Sequence, residues 1–502
     1  MTHGADQKRL NGKRLLLTGG SGFLGMAVLS ALLTHADGFE RLTLLLRAAD
    51  DAAAKQRLTD EVLANDAFDR VPRDRLREML DGGRLMAMAG DLASPEIGRD
   101  WGEVDVLINC AASVSFEEPL DDALELNALG PARLLRGLRD AGADPYVVHV
   151  STAYVADCDV EVVHEDGLPH PALATLDPPA MLAAARSWRE LAEAKSLRPA
   201  SRRRFVRQAR RDVARKPRLD LAARVEELRG RWVRQALSEL GRRHAVESGW
   251  PDTYTLSKAL GEQELMGSTA RLTVIRPSII ESALSQPHPG WLEGLKVADP
   301  LILAYAAGGL THIAGQARNL IDIVPVDCVA NACVAAACNP AEDGARTLAI
   351  SSTARNPLRI GELAAYIKAY FRREPLHLGG QDAQIGDLEF VERGIALGSA
   401  GRRERLARLA AMAALAPVSA GAKRKLRANT FHASQITRMV RIYAPYTELN
   451  CAFDDTNACA LAASLSAADR ADLPFDTAAI EWATYLEGWH LPAVRKMAAK
   501  GS

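Results

Sequence analysis

The sequence predicts an α/β protein, with a doubly wound, mostly parallel sheet, a helical insert and a helical C-terminal region. Three observations lead to this fold class. Short apolar segments alternate with helical patterns through the first 150 residues, as in parallel strands joined by crossover helices. A glycine-rich turn at 19–25 follows the first apolar segment. The stretches between 152 and 254 and beyond 355 are mostly helical in pattern, and both are longer than one crossover needs.

Length and composition indicate a globular protein of more than one domain. The 502 residues are 48% hydrophobic and 25% charged, with a formal net charge of −1. Because this length exceeds one ordinary core, we predict a first domain over 1–355, with an insert at 160–248, and a helical domain over 356–502. A net charge near zero attracts no polyanion, so nucleic acid is not an expected partner.

The sequence gives little sign of targeting or of metal binding. Its polar start runs directly into an apolar strand, and no apolar run reaches the roughly 18 residues of a spanning helix. Seven scattered cysteines indicate reduced thiols, so we expect a cytoplasmic location. Cys328, Cys333 and Cys338 are spaced by five, which turns them about 140° apart on a helix. We therefore predict helix packing there and no metal site.

The glycine turn has the spacing of a dinucleotide-binding site. Gly19, Gly22 and Gly25 follow an apolar strand and open an apolar helix. Such a turn lets the backbone approach a pyrophosphate, and the free N–H groups of the helix N-terminus bind its charge. A tight turn without a ligand is the alternative interpretation.

The residue at the end of the second predicted strand indicates which dinucleotide the protein binds. This strand, 41–47, ends in Arg47, about twenty residues after the glycines. An acidic residue there would hold the ribose hydroxyls of NAD, whereas a guanidinium pairs with the 2′-phosphate of NADPH. Asp50 and Asp51 come slightly late to bind a ribose. We predict NADPH; a solvated arginine at the strand end is the alternative.

Three later strands bring polar or small residues to the same edge of the sheet. The segment GRLMAMAGDL ends near Asp91, and VDVLINCAAS ends near Ala111. The apolar segment PYVVHV leads into Ser151 and Thr152. Ligands of doubly wound sheets lie outside the carboxyl ends of the strands, so we expect both hydroxyls beside the cofactor.

Tyr254 and Lys258 are four residues apart in a helical pattern and therefore share one helix face. Alone the pair is weak evidence, but with a hydroxyl at a strand end it forms a proton-transfer set. Free tyrosine has a pKa of about 10, and we expect the ammonium of Lys258 to lower it. The set predicts protonation of a carbonyl oxygen as hydride arrives.

These motifs resemble those of the extended short-chain dehydrogenase/reductases and, more narrowly, of the fatty acyl-CoA reductases. The resemblance implies a Rossmann-type sheet, covers about 12–375 well, and covers the remainder only in helical character. The wider resemblance is carried by TGGSGFLG (18–25) and YTLSK (254–258), and the narrower one by CAASVSFEEPLDDALELN (110–127), RPSIIES (276–282) and PGWLEG (289–294).

The resemblance also implies the site residues. The catalytic triad falls on Thr152, Tyr254 and Lys258, with Ser151 as the rival for the hydroxyl role. Dinucleotide contacts fall on the glycine turn, on three strand ends, on the catalytic helix and on the loop beside the nicotinamide: Thr18, Gly19, Gly22, Phe23, Leu24, Gly25, Arg47, Asp91, Leu92, Ala111, Lys258, Pro277 and Ser278.

The activity implied is NADPH-dependent reduction of a long-chain fatty acyl-CoA, through the aldehyde, to the primary alcohol. An aldehyde-forming acyl thioester reductase is the first alternative. A nucleotide-sugar epimerase or dehydratase and an NADPH-binding regulator without activity are the others. Coenzyme A and acyl carrier protein are both open as the thiol carrier, and the oligomeric state is open.

The segment 198–218 is basic and amphipathic. It holds ten Lys/Arg residues against one acidic residue, Asp212, and Phe205, Ala209 and Val213 recur every four positions. We expect it to contact either the surface of an anionic membrane or the phosphates of coenzyme A. A solvated helix is the alternative.

A predicted substrate loop at 278–312 is apolar and rich in glycine and proline. Its large side chains fit either the wall of an aliphatic channel or an ordinary core: Trp291, Leu292, Leu295, Leu301, Ile302 and Leu303.

Overall fold

The computed structural model describes residues 10–36, 38–94, 101–166, 169–215, 218–295, 297–342, 344–378, 380–413 and 420–500. Within them the strands are β1 Arg14–Thr18, β2 Arg41–Leu46, β3 Leu85–Ala89, β4 Val106–Asn109, β5 Tyr146–Val150, β6 Val162–Val163, β7 Leu272–Pro277, β8 Ile279–Glu281, β9 His312–Ala314, β10 Ile323–Pro325, β11 Arg346–Ile350, β12 His377–Leu378, β13 Gln381–Asp382, β14 Glu389–Val391 and β15 Ala452–Phe453.

The helices within the same residues are α1 Phe23–His35, α2 Asp51–Arg57, α3 Arg73–Asp81, α4 Leu120–Ala123, α5 Gly130–Asp140, α6 Pro178–Leu197, α7 Pro199–Arg215, α8 Leu221–Glu247, α9 Thr253–Ser268, α10 Asp299–Ala306, α11 Val326–Cys338, α12 Ile360–Arg373, α13 Arg393–Ala413, α14 Ala420–Thr447, α15 Thr456–Ser464, α16 Ala467–Asp472 and α17 Leu491–Lys500. Short π-helical segments lie at Leu58–Val62, Leu124–Leu129 and Thr484–His490.

The predicted fold class is confirmed by a seven-stranded parallel sheet of order β11-β7-β5-β4-β1-β2-β3. The direction of strand addition reverses between β1 and β4, and a crevice opens at such a switch point beyond the carboxyl ends of the strands. Strands β4, β5 and β7 are buried along their whole length, because helices cover both faces.

The two faces of the sheet carry different helices. α1 and α11 pack together on one face, where Leu29 and Val329 belong to the same buried cluster as Val148. α5 and α9 cover the other face through Leu135 and Leu265. Every residue of α11 is buried. Its three cysteines are packing side chains within this core, as their spacing predicts.

The helical insert consists of α6, α7 and α8, which pack on one another and on α4 and α9. Phe205 and Ala209 of α7 are buried against Leu228 of α8. Two residues of the apolar stripe predicted within the basic segment therefore face the insert, whereas the arginines Arg202, Arg203 and Arg204 of α7 are exposed. Val213 is half-buried.

The chain beyond 355 is mainly helical but also adds strands to the first part. β14 pairs with β9, and β15 pairs with β6, both in parallel. The proposed division of the chain near 355 stays a prediction. Among the described residues, no helix is both long enough and apolar enough to cross a bilayer.

Candidate active site

The glycine turn between β1 and α1 leaves no room for side chains. Gly19 has a φ of +72°, and a Cβ there would lie 2.6 Å from the backbone nitrogen of Ala111. A Cβ on Gly25 would lie 2.0 Å from the carbonyl oxygen of Gly19. Both positions therefore require glycine. Gly22 caps α1 without a side-chain hydrogen bond, so the helix offers backbone N–H groups at this end.

A cavity of about 590 Å³ lies at the carboxyl ends of β2 and β3. Arg47 is exposed at its edge. The two carboxylates that follow Arg47 in the chain both accept hydrogen bonds from backbone N–H groups. Asp50 accepts from the N–H of Ala53 at 2.8 Å, and Asp51 accepts from the N–H of Ala89 at 2.7 Å. The lining residues are Arg47, Ala48, Ala49, Asp50, Asp51, Ala89, Gly90, Asp91 and Ser94.

The predicted triad residues come together where β5 meets α9. Asp252 caps α9 by accepting from the N–H of Thr255 at 2.9 Å. One turn along this helix, the buried ammonium of Lys258 donates to the carbonyl of Val150, the last residue of β5. The hydroxyl of Thr152 donates to the carbonyl oxygen of Pro277 at 3.4 Å, and it lies close enough to the phenol of Tyr254 to lower the pKa of that phenol.

The predicted direction of the pKa shift at Tyr254 is wrong. Burial raises the pKa of this phenol well above 10, the charge of Asp252 raises it further, and the hydrogen bond from Thr152 opposes both. The ammonium of Lys258 does not offset this rise in pKa, because it is directed at the carbonyl of Val150. A phenol with a raised pKa is fully protonated at neutral pH, as a proton donor must be.

Burial also acts on Lys258. It lowers the pKa of the ammonium to about 8, although the charge of Glu262 opposes the shift. At neutral pH most of the ammonium remains charged, and the charge is lost as the pH rises through about 8.

Ser151, the rival hydroxyl, is placed differently from Thr152. Its N–H donates to the carbonyl of Ile275 at 2.7 Å, and its buried Oγ has no hydrogen-bond partner among the described residues. The Oγ of Ser278, in the loop after β7, is in the same condition. Of the two hydroxyls, Thr152 is the one that influences the pKa of Tyr254, which favours it as the third member of the set.

Two buried polar networks beside the site were missed by the sequence analysis. Thr18 donates to Asn109 at 2.5 Å, and Asn109 contacts His149 Nδ1 at 2.8 Å. The pKa of His149 is held well below its usual value by burial and by the charge of Lys258. The available signal was a polar residue inside each apolar strand, Asn109 in VLIN and His149 in YVVHV.

The second network centres on Asn127, in the π-helical segment Leu124–Leu129. Its amide accepts from the N–H of Ser113 at 2.8 Å and donates to Ser257 at 3.0 Å. It thereby connects the loop after β4 to α9, the helix that carries Tyr254 and Lys258.

The C-terminal region also reaches the site. Phe116 packs edge-on against Tyr254 at 5.7 Å between ring centroids, and Tyr443 and Tyr446 of α14 pack on Phe116 at 5.8 and 5.4 Å. The hydroxyl of Tyr446 donates to Asp252, the residue that caps α9. No sequence pattern indicated these contacts.

The substrate loop divides between two cores. Trp291 is buried against Phe23 at 5.0 Å between ring centroids, and its indole N–H donates to Asp66 at 2.9 Å. It thus belongs to the core beside α1, so the core interpretation holds for it. The remaining large side chains pack in the core shared with the C-terminal region: Leu292, Leu295, Leu301, Ile302 and Leu303.

Fold and site together define a reductase of the short-chain dehydrogenase type, with a nicotinamide dinucleotide as cofactor. The chain belongs to the NAD-binding family described as "Male sterility protein", which matches residues 17–333. This membership and the relatives below confirm the resemblance to the fatty acyl-CoA reductases.

Three similar proteins illustrate it. "Fatty acyl-CoA reductase 2, chloroplastic" of Arabidopsis thaliana is 28% identical over 98% of this chain and 79% of its own length. "Alcohol-forming fatty acyl-CoA reductase" of Simmondsia chinensis is 26% identical over 97% of each chain. The terminal R domain from the myxalamid PKS-NRPS biosynthetic pathway is 16% identical, covers 95% of this chain and 90% of its own, and has a TM-score of 0.56. This last likeness shows the fold.

Proposed function

We propose that this protein uses NADPH to reduce a long-chain fatty acyl-CoA, through the aldehyde, to the primary alcohol. The observation that carries the proposal is the placement of Thr152 close to the phenol of Tyr254. The two residues lie where β5 meets α9, in a chain of this reductase family. The name of the Simmondsia chinensis relative supports the alcohol as product.

The residues of the chain would hold and protonate the carbonyl oxygen. Bound NADPH supplies the hydride. Tyr254, a neutral phenol at pH 7, donates a proton to that oxygen while Thr152 holds it in line. The resulting hemithioacetal then releases the thiol. The same side chains would serve the aldehyde, so no second site is needed.

Two reductions on one enzyme require the aldehyde to remain while the cofactor is exchanged. Each buried methylene contributes about 0.8 kcal/mol, so a chain of roughly 16 carbons would leave an apolar channel slowly. The core shared by the substrate loop and the C-terminal region supplies apolar side chains for such a channel.

Stoichiometry tests the proposal directly. Purified protein is given acyl-CoA of several chain lengths, and NADPH consumption and products are measured together. We expect two NADPH per thioester, with the alcohol as product and free long-chain aldehyde also reduced. One NADPH per thioester, with aldehyde that accumulates and is not reduced when added back, would show that the enzyme stops halfway. A uridine-nucleotide titration that raises Tm would instead favour the epimerase alternative.

The choice of NADPH over NADH rests on Arg47. Its guanidinium stands at the cavity beyond β2, while Asp50 and Asp51 bind backbone N–H groups. We predict that Arg47→Glu reverses or abolishes the preference for NADPH. The measurement is kcat/KM with each cofactor, and Arg77→Glu on α3 is the matched control. Wild-type discrimination in the Arg47 variant would show that another residue recognises the 2′-phosphate.

The basic helix α7 is the proposed contact for an anionic surface. Arg202, Arg203 and Arg204 are exposed, whereas Phe205 is buried in the insert. Any such contact would therefore be electrostatic, with no apolar face entering the lipid. Anionic membranes and the phosphates of coenzyme A both fit this chemistry.

A further inference from the structure

Three ionisable side chains meet in the interior, away from the triad. Glu281 ends β8, Asp299 begins α10, and His490 ends the π-helical segment before α17. Each is fully buried. His490 Nε2 lies 3.5 Å from Asp299 Oδ1 and 3.9 Å from Glu281 Oε2. One possible ligand atom from each residue falls within 4.8 Å of the other two.

The imidazole of His490 is fixed so that Nε2 faces the carboxylates. Its Nδ1 lies 3.1 Å from Ser282 Oγ, and its ring stacks on Tyr485 at 5.9 Å between centroids. Among the described residues, Nε2 itself has no hydrogen-bond partner, and neither has Glu281 Oε2. A histidine oriented through one nitrogen, with the other aimed at a cluster of oxygens, is the arrangement of a metal ligand.

The cluster places two fully buried carboxyl groups beside one fully buried imidazole. Buried charges require compensation, and a divalent cation would compensate two carboxylates while accepting the lone pair of the imidazole.

We propose that Glu281, Asp299 and His490 bind a divalent transition-metal ion, with Zn²⁺ as the best match. Imidazole nitrogen and carboxylate oxygen are ordinary zinc ligands at about 2.1 Å, which puts neighbouring ligand atoms roughly 3.4 Å apart. The observed 3.5 and 3.9 Å need only a small contraction. Three protein ligands leave a fourth tetrahedral position for water.

The ion would join three separate parts of the chain. Glu281 follows the nicotinamide loop at Pro277 and Ser278, Asp299 opens the helix of the substrate loop, and His490 belongs to the C-terminal region. It would also act near the site: the charges of Glu281 and Asp299 contribute, after burial, to a pKa of about 12 at Tyr443. The ligands have no motif spacing, which is why the sequence predicts no metal site.

The test uses full-length protein without a histidine tag. Metal content is measured by mass spectrometry after purification, then after dialysis against a chelator and reloading with Zn²⁺ or Co²⁺. We expect about one ion per chain, a fall in Tm on chelation that Zn²⁺ reverses, and the visible absorption of tetrahedral Co²⁺. Protein that contains no ion and shows neither a Tm change nor a Co²⁺ spectrum would overturn the proposal.

Variants distinguish a bound metal ion from the alternative explanation, a proton that the two carboxyls share. His490→Ala and Glu281→Gln should each lose the ion. If the two carboxyls share a proton, the Glu281→Gln variant should keep the Tm of wild type, because an amide can replace the protonated acid. If the cluster binds a metal, the Tm of this variant should fall to that of chelated wild type. Glu165→Gln, at a buried carboxyl whose pKa is raised to about 7, is the control and should keep the ion. If a variant fails to fold, reversible chelation of wild type decides. Metal retained in both cluster variants would overturn the assignment.

Discussion

The insert and the C-terminal region are both helical additions to the same sheet, but they are built into the protein differently. The insert buries small apolar clusters of its own, such as Phe205 with Leu228 between α7 and α8. In the described residues, the buried apolar side chains of the C-terminal region belong to cores that it shares with the first part of the chain. Its Leu486 and Val494 share one core with Ile279, next to the loop at Pro277 and Ser278.

The difference extends to the catalytic helix. Tyr446 of the C-terminal region donates to Asp252, which caps α9, and Tyr443 packs on the ring that contacts Tyr254. The insert packs on another part of α9, since Leu182 of α6 and Ala245 of α8 share a buried cluster with Leu260. Its exposed arginines face away from its own core. Helical pattern alone therefore does not show whether an addition belongs to the site. The predictions below test this contrast.

The largest effect is expected in the candidate active site, on which the C-terminal region packs. Tyr254→Phe should lower kcat by roughly 10²- to 10⁴-fold, because the proton donor is lost while the ring still packs. NADPH binding should remain near normal. Lys258→Met should lose both, since its ammonium holds the end of β5. Tyr305→Phe, a buried tyrosine whose hydroxyl contacts Gly386, is the control. Near-normal rates in either active-site variant would refute the mechanism.

The pH dependence of Lys258 should separate activity from stability. Its ammonium is lost as the pH rises through about 8, so activity that needs the charge should fall up to about tenfold per pH unit above that value. Stability should move the other way: between about 8 and 10.5 the unfolded state binds more protons, so this group's contribution rises with pH. Rate profiles and Tm at matched pH check both. Activity unchanged up to pH 9.5 would mean that the charge is not required.

A smaller effect should follow from the hydroxyl of Tyr446. Tyr446→Phe removes its hydrogen bond to Asp252, which caps the catalytic helix. We expect kcat to fall roughly three- to tenfold, on the scale of one ordinary hydrogen bond of about 0.5–1.5 kcal/mol. Burial puts the pKa of Asp252 at about 6, and the bond from Tyr446 opposes that rise, so the variant should raise it further.

The matched control for Tyr446 lies in the insert. Leu237→Ala removes a buried side chain between α6 and α8 and should lower Tm by leaving a cavity. Its kcat at a temperature where it stays folded should be unchanged. An equal loss of kcat in the Tyr446 and Leu237 variants would show that the insert and the C-terminal region affect catalysis to the same extent. The contrast between the two regions would then be wrong.

The smallest effect is expected on the surface of the insert. Replacing Arg202, Arg203 and Arg204 with Ser should raise KM for acyl-CoA a few-fold or release the protein from anionic vesicles, with kcat unchanged. Ser substitutions at Arg70, Arg73 and Arg77, which are also exposed, are the control. Enzyme kinetics distinguish the coenzyme contact, and vesicle sedimentation the lipid contact. If neither changes, the helix is simply solvated.

The parts of the fold that depend on local patterns were predictable. The apolar strands and the glycine spacing define the sheet and its turn within a few residues of sequence, and the four-residue spacing of Tyr254 and Lys258 puts them on one helix face. The strand bounds agree closely: β2 was expected over 41–47 and is Arg41–Leu46.

What the sequence could not provide depends on distant contacts. The direction of the pKa shift at Tyr254 follows from burial, from Asp252 and from where the ammonium of Lys258 points. Trp291 joins the core beside α1 because Asp66 accepts its N–H. Phe116 and Tyr446 are 446 − 116 = 330 residues apart. Such pairings are set by tertiary packing and have no periodic signature.

The pairing of β6 with β15 can form only late in synthesis, because the two strands are far apart in the sequence. Val162 pairs with Ala452, so 452 − 162 = 290 residues are made after the first strand before the second exists. At about 5–20 residues per second, a ribosome needs roughly 15–60 s for that interval.

Once residue 258 has been made, the nascent chain contains Tyr254, Lys258 and the glycine turn, but Tyr446 follows 446 − 258 = 188 residues later. Its edge at β6 and the apolar side chains around Ile279 await their partners. Exposed edges and apolar surface of this kind promote aggregation. Until β15 and Tyr446 have been made, the growing chain therefore has the features that chaperones bind.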